Sequence, residues 1–161
     1  MQITPITEAQ AREVLGWRYP PPYDFYDLAN ADPEPILRGM LGLTSPHYAI
    51  TSDRGEFVGF CSVGPEGQVP GGDYSKDALD IGIGLRPGST GRGFGKLVLQ
   101  QFLGFATTTY QPDRFRATIA AFNLRSQRTF LGLGFAQTGQ FQALGTDWVI
   151  LTRAAERPIP G

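Results

Sequence analysis

The spacing of apolar positions along this chain changes repeatedly, and each change marks an element. Met1 to Ile6 alternates weakly, and Pro5 cannot donate to a ladder, which predicts a short edge strand. Thr7, with Gln10 three positions on, is capping-box chemistry, satisfying the first free N–H groups of a helix running to about Gly16. Pro20, Pro21 and Pro22 forbid helix, so Trp17, Tyr19, Tyr23, Phe25 and Tyr26 ride on an extended or turn-like segment. Asp32 before Pro33 predicts the N-cap of a second helix ending near Gly39 or Gly42. His47 to Thr51 and Glu56 to Val63 read as strands joined at the Asp53-Arg54-Gly55 turn.

Gly64 to Asp77 is rich in glycine, proline and polar residues and reads as an exposed loop. Strict alternation returns over Leu79 to Leu85, a helical stripe of Phe94, Leu97, Val98, Phe102, Phe105 and Ala106 predicts a helix over Gly93 to Tyr110, and Phe115 to Phe122 reads as a strand. A shorter helix over Leu124 to Leu133 and strands around Ala136 to Ala143 and Asp147 to Thr152 complete the pattern, before a loose tail ending ERPIPG. The order predicts an α/β fold of the mixed α+β kind, with antiparallel strands first and one strand-helix-strand crossover.

Composition narrows the classes. A chain of 161 residues suits one domain spanning 1–161, and 41% hydrophobic with 12% aromatic residues describes a globular core. A net charge of -1 argues against nucleic acid or anionic membrane as a partner. One cysteine, Cys61, and one histidine, His47, leave no disulfide and no metal cluster, and Cys61 in FVGFCSV reads as a small core residue. MQITPITEAQAREVL lacks a leader pattern and no run is long enough to span a bilayer, so a cytoplasmic location is expected.

The sharpest local feature is Gly91-Arg92-Gly93-Phe94-Gly95-Lys96 between a strand and a helix. Small residues let the backbone approach a ligand, and first-turn N–H groups suit a phosphate; tight strand-to-helix packing is the competing reading. A Walker A loop is excluded by Thr90 and Leu97, and a dinucleotide fingerprint by Lys96. Upstream, Leu79, Ile81, Ile83 and Leu85 share one strand face, while Asp80, Gly82 and Gly84 share the other. Interior glycines mark a place where a ligand or another element lies against the backbone. Asp80 reads equally as a functional carboxylate or a solvated surface charge.

Together these residues resemble the GNAT superfamily, the Gcn5-related N-acetyltransferases. Its Gln/Arg-x-x-Gly-x-Gly/Ala motif appears with Thr90 in the leading position and Gly93 and Gly95 in the glycine positions. A second element appears as Asn123, Ser126, Phe130, Gly134 and Phe135. The resemblance implies a GNAT-like acyl-CoA N-acyltransferase fold: a mixed, mostly antiparallel sheet of about seven strands with splayed central strands and about four helices. It implies acetyl-CoA or another short acyl-CoA as co-substrate. The pantetheine arm would run along Ile83, Gly84 and Leu85, and the pyrophosphate would sit on the amides of Gly91, Arg92, Gly93, Phe94, Gly95 and Lys96. Asn123 and Phe130 would lie on the cofactor side, Asn123 serving also as a helix cap.

For the chemistry, the resemblance implies Asp80 as base. Phe130 stands where the family often has a proton-donating tyrosine, leaving Ser126, water or another tyrosine as donor. Tyr19, Tyr23 and Tyr26 would face the acceptor amine, or form an aromatic cover over the core. Arg125 and Arg128 would reach CoA phosphates or remain exposed helix charges. The implied activity is acyl transfer to a small-molecule or peptide amine, by direct attack with both substrates bound, and a homodimer is compatible with it. The rival readings are a non-catalytic acyl-CoA-binding or sensing module and a nucleotide-binding protein.

Overall fold

The computed structural model describes residues 1–90 and 93–156. The capping signals act as the sequence predicts. The Thr7 hydroxyl accepts from Gln10 N–H at 3.2 Å while the Gln10 side chain accepts from Thr7 N–H at 2.9 Å, opening α1 (Glu8–Leu15). Asp32 accepts from Glu34 N–H at 3.2 Å and opens α2 (Pro33–Leu41), with Pro33 in its first turn. Between them, after the prolines, Tyr23–Tyr26 forms one 3₁₀ turn.

The strands are β1 (Gln2–Pro5), β2 (His47–Thr51), β3 (Phe57–Val63), β4 (Leu79–Leu85), β5 (Arg114–Ala120), β6 (Ala136–Ala143) and β7 (Thr146–Ala154). They form one seven-stranded sheet in the order β1-β2-β3-β4-β5-β7-β6, in which only β4 and β5 pair in parallel. Helix α3 (Phe94–Tyr110) crosses between these two, and α4 (Leu124–Leu131) follows β5. The mixed fold, the seven strands and the four α-helices of the described residues match the expectation; element ends differ by at most two residues.

Alternation sorts the side chains into two cores. Ile50, Val58, Ile81, Phe115 and Ala117 pack with Val98, Leu99 and Phe102 of α3, and buried Cys61 belongs to this cluster. Ala49 and Phe57 face the other way and pack with Ala11, Val14, Trp17, Leu37 and Met40 from α1, α2 and the segment between them. Burial raises the Cys61 thiol well above its ordinary range, consistent with a core residue.

The stretch read as an exposed loop, Gly64 to Asp77, is a largely exposed loop with anchor points on the sheet. Pro65–Gly67 makes a short 3₁₀ turn, and the Tyr74 hydroxyl accepts from Val69 N–H at 2.9 Å and hydrogen-bonds the Thr118 hydroxyl at 2.8 Å. Its ring stacks 4.8 Å below the Arg116 guanidinium. The stretch is exposed along much of its length, as its composition predicts, and is tied to the sheet at Tyr74.

Strands β4 and β5 pair only at Leu79 with Phe115 and Asp80 with Arg116, and then part. At this last rung Arg116 Nε and Nη2 donate to Asp80 Oδ1 and Oδ2 at 2.6 and 2.8 Å, with both side chains 5% exposed. Gln68 Nε2 donates to Asp80 Oδ2 at 2.9 Å, and Arg116 Nη1 donates to Lys76 O at 2.9 Å. Removing one member leaves a buried charge uncompensated, so Asp80→Ala is expected to lower stability by about 3–5 kcal/mol, measured by urea unfolding.

Candidate active site

The parting of β4 and β5 exposes main chain. On its other side β4 is bonded to β3, with Gly64 N–H to Asp80 O and Arg86 N–H to Val58 O, both at 2.9 Å. The alternation of an antiparallel ladder therefore directs even-numbered residues of β4 to β3 and odd-numbered ones toward β5. Beyond the last rung, the N–H and C=O of Ile83 face the gap. On β5, Ala121 N–H bonds Asp147 O at 2.8 Å, which turns Thr118 toward the same gap. The space between is a cleft of about 610 Å³.

At the upper end of the cleft lies the start of α3. Gly93 is its N-cap at φ 70°, a left-handed conformation suited to glycine, and no side chain caps the helix there. Gly93, Gly95 and Thr90 line the cleft, as do Arg125, Ser126 and Arg128 of α4. Gly91 and Arg92 of the same motif lie outside the described residues. Phe94 packs against the core, and the Lys96 ammonium lies beside Gly132 at the C-terminal end of α4. What these two residues offer the cleft mouth is main chain.

The two strand glycines have separate physical reasons. A Cβ on Gly84 would meet the Phe60 ring at 2.4 and 2.6 Å, and one on Gly82 would meet Ser62 Oγ at 2.9 Å. Phe60 therefore lies across β4 and forms part of the cleft wall.

Asp80, expected on the glycine face, is there in register but does not line the cleft. Both its oxygens are committed to Arg116, and the Gln68 amide shares one of them. The alternative reading of Asp80 as a solvated surface charge is corrected by its burial at 4% exposure. Arg116, buried on β5 at the same rung, is the physical reason: a buried guanidinium requires a carboxylate beside it.

The three tyrosines come together at the mouth. Tyr19 OH donates to Leu85 O at 2.6 Å, occupying one of the odd-numbered carbonyls that face the gap. Burial, and secondarily the Asp27 carboxylate, pushes its phenol up to about 12. Tyr26 OH accepts from Asn123 Nδ2 at 3.0 Å, and Tyr23 lies 4.1 Å beneath the Arg125 guanidinium. Asn123 also caps α4, its Oδ1 accepting from Ser126 N–H at 3.0 Å. Phe130 is 1% exposed, with its ring edge-to-face on Phe135 at 5.0 Å, and it reaches the cleft as an apolar floor.

Sequence reasoning passed over several further lining residues, among them Phe60, Glu66, Thr118 and Trp148. The one available signal was Thr118, a hydroxyl inside the apolar run of β5.

The GNAT acetyltransferase domain family matches residues 4–136 of this chain. The chain belongs to the GNAT acetyltransferase family. A spermidine N-acetyltransferase chimera from Vibrio cholerae and hSSAT superposes with a TM-score of 0.72 at 12% identity, covering 96% of each chain. An aminoglycoside acetyltransferase, AAC(6')-Ib, in complex with coenzyme A superposes at 0.75 with 14% identity, covering 95% of each chain. A dodecameric spermidine N-acetyltransferase from Vibrio cholerae gives 0.67 at 12% identity, over 96% of this chain and 93% of that one. At such identities the likeness establishes the GNAT fold. No curated sequence matches the chain significantly. Among the described residues, no helix is long and apolar enough to cross a membrane.

Tyr19 supplies a pH test in this GNAT domain. Its folded value near 12 lies above the ordinary phenol value near 10, so its stabilisation is complete below pH about 10 and lost as pH rises through about 12. Urea unfolding of Tyr19→Phe is expected to lack that alkaline component. Gly84→Val displaces the Phe60 ring, and thermal unfolding is expected to show a destabilisation of about 1–3 kcal/mol.

Proposed function

We propose that this protein is an N-acetyltransferase that moves an acetyl group from acetyl-CoA, or another short acyl-CoA, to an amine while both are held in the cleft. One observation carries the reading: unpaired main chain on β4 leads directly to an uncapped helix start. A slender thioester with amide groups along its arm and a diphosphate at its end fits that arrangement. Bound acetyl-CoA supplies an activated acyl thioester.

The rest is work for the chain itself. The N–H and C=O of Ile83, with Gly84 and the N–H of Leu85, hold an extended arm by strand-like hydrogen bonds and offer donors to the acyl oxygen. Amides from Gly93 through Phe94, Gly95 and Lys96 receive the diphosphate, and Gly91 and Arg92 belong to the same proposed cradle. Arg125 and Arg128 add positive charge on this side. Asn123 fixes the start of α4, Phe130 closes the floor beneath it, and the Ser126 hydroxyl holds a proton at the wall. Tyr19, Tyr23 and Tyr26 frame the acceptor side. Asp80 sits at the last paired rung below the cleft, and its committed oxygens argue against assigning it proton removal.

Calorimetry with CoA and acetyl-CoA, followed by release of free thiol over a panel of amines, tests the reading. Saturable binding and amine-dependent thiol release are expected. Binding without turnover on any amine would instead mark a non-catalytic acyl-CoA-binding module, the reading Phe130 favours because a phenyl ring donates no proton. ATP binding more tightly than CoA would overturn both. A sharper arm is Gly95→Asp. A carboxylate in the first helical turn favours the helix by about 0.3–1 kcal/mol, so the melting temperature should hold while CoA affinity falls at least about tenfold.

A further inference from the structure

The charges lining the cleft are divided unequally between its ends, and the division points to the acceptor. Among the described lining residues the cations are Arg125 and Arg128, both on α4, while the one carboxylate is Glu66. Glu66 comes from the 3₁₀ turn after β3 and is held from two directions. Its N–H donates to Ser45 Oγ at 3.0 Å, and its Oε2 lies 3.3 Å from Nε2 of His47. His47 Nδ1 in turn donates to Ser45 O at 2.8 Å. Ser45 and His47 are 6% and 5% exposed, whereas the Glu66 side chain is 51% exposed. Ser45 thus holds the main chain of the turn, which sets one half-open carboxylate beside the buried His47 ring at the cleft wall. Gly64, at φ 109°, sets the approach, because a Cβ there would meet Thr44 O at 2.8 Å and Ser45 Oγ at 3.0 Å.

The cleft that this carboxylate lines also carries large apolar and aromatic side chains. His47 stacks on Phe60 at 5.9 Å, and Phe60, Leu28, Tyr26 and Trp148 line the same cleft. Resting on the acyltransferase reading above, we propose that Glu66 is the anchor for the acceptor's ammonium group, with His47 as its positioning residue, and that the acceptor is a monoamine with a flat apolar body. A polycation would need several carboxylates to compensate its charges, and the described residues that line this cleft offer one. An aromatic or planar amine docks by its single charge on Glu66, gives that proton through the half-exposed carboxylate to solvent as the nitrogen attacks the acyl carbon and the CoA thiolate leaves, and rests its body on Phe60.

Steady-state kinetics on the wild-type protein with phenethylamine, tyramine and tryptamine against spermidine and kanamycin test the substrate class. Higher kcat/KM for the aromatic monoamines is expected; higher kcat/KM for the polyamines overturns the proposal while leaving the acyltransferase reading standing. Absence of thiol release with every amine, despite acetyl-CoA binding, overturns both. Glu66→Gln is expected to raise KM for the amine roughly tenfold, as one charge-assisted contact weakens, with KM for acetyl-CoA within about twofold. His47→Gln is expected to raise the amine KM to a lesser degree, again sparing acetyl-CoA. Unchanged amine KM in Glu66→Gln overturns the anchor. A melting temperature lowered in His47→Gln with the amine KM unmoved reduces His47 to a purely structural residue and overturns its positioning role.

Discussion

The ion pair between Asp80 and Arg116 stands where two parallel strands stop pairing, and the cleft begins at that rung. A buried guanidinium on β5 demands a carboxylate opposite, and β4 supplies it in register. Gln68, the Lys76 carbonyl and the ring of Tyr74 complete the surroundings of the pair. Beyond it, Gly82 and Gly84 bring no side chains of their own toward Ser62 and Phe60. A continued ladder would satisfy the main chain of β4; the parting leaves Ile83 without a strand partner on that side. Unpaired backbone donors and acceptors are costly to bury and therefore ready to receive a ligand.

The segment after α1 depends on the same gap. Tyr19 reaches across to Leu85 O, Tyr26 meets Asn123 and Tyr23 lies under Arg125, so one aromatic stretch ties the first helical pair to β4 and to α4. The three tyrosines and the helix cap at Asn123 are thereby mechanically linked. The charge pattern follows the same geometry, with arginines on the α4 wall and a single carboxylate on the turn after β3. Such an arrangement suits a ligand that is anionic at one end meeting a partner that is cationic at its tip.

Much of this was legible beforehand because it is local. Capping residues act on the next three N–H groups, so Thr7 and Asp32 declare their helices without reference to anything distant. The glycine-rich stretch before α3 and the Asn123 cap likewise belong to short windows, and the family resemblance rests on them. Asp80 was harder. Its sequence neighbours mark it as lying on the glycine face, but its partner is 36 residues away. Glu66 and His47 were harder still, because their meeting depends on Ser45, which holds the turn at Glu66 N–H from 21 residues away.

By itself the sequence determined the order of elements, the two faces of the central strand, the uncapped glycine start of α3 and the family, since all of these follow from periodicity, caps and motifs within a few residues. Only the tertiary structure decided which carboxylate stabilises the sheet and which one faces the cleft. That choice depends on which side chains meet across the sheet, and such meetings are set by long-range register and burial, which no local window of residues contains.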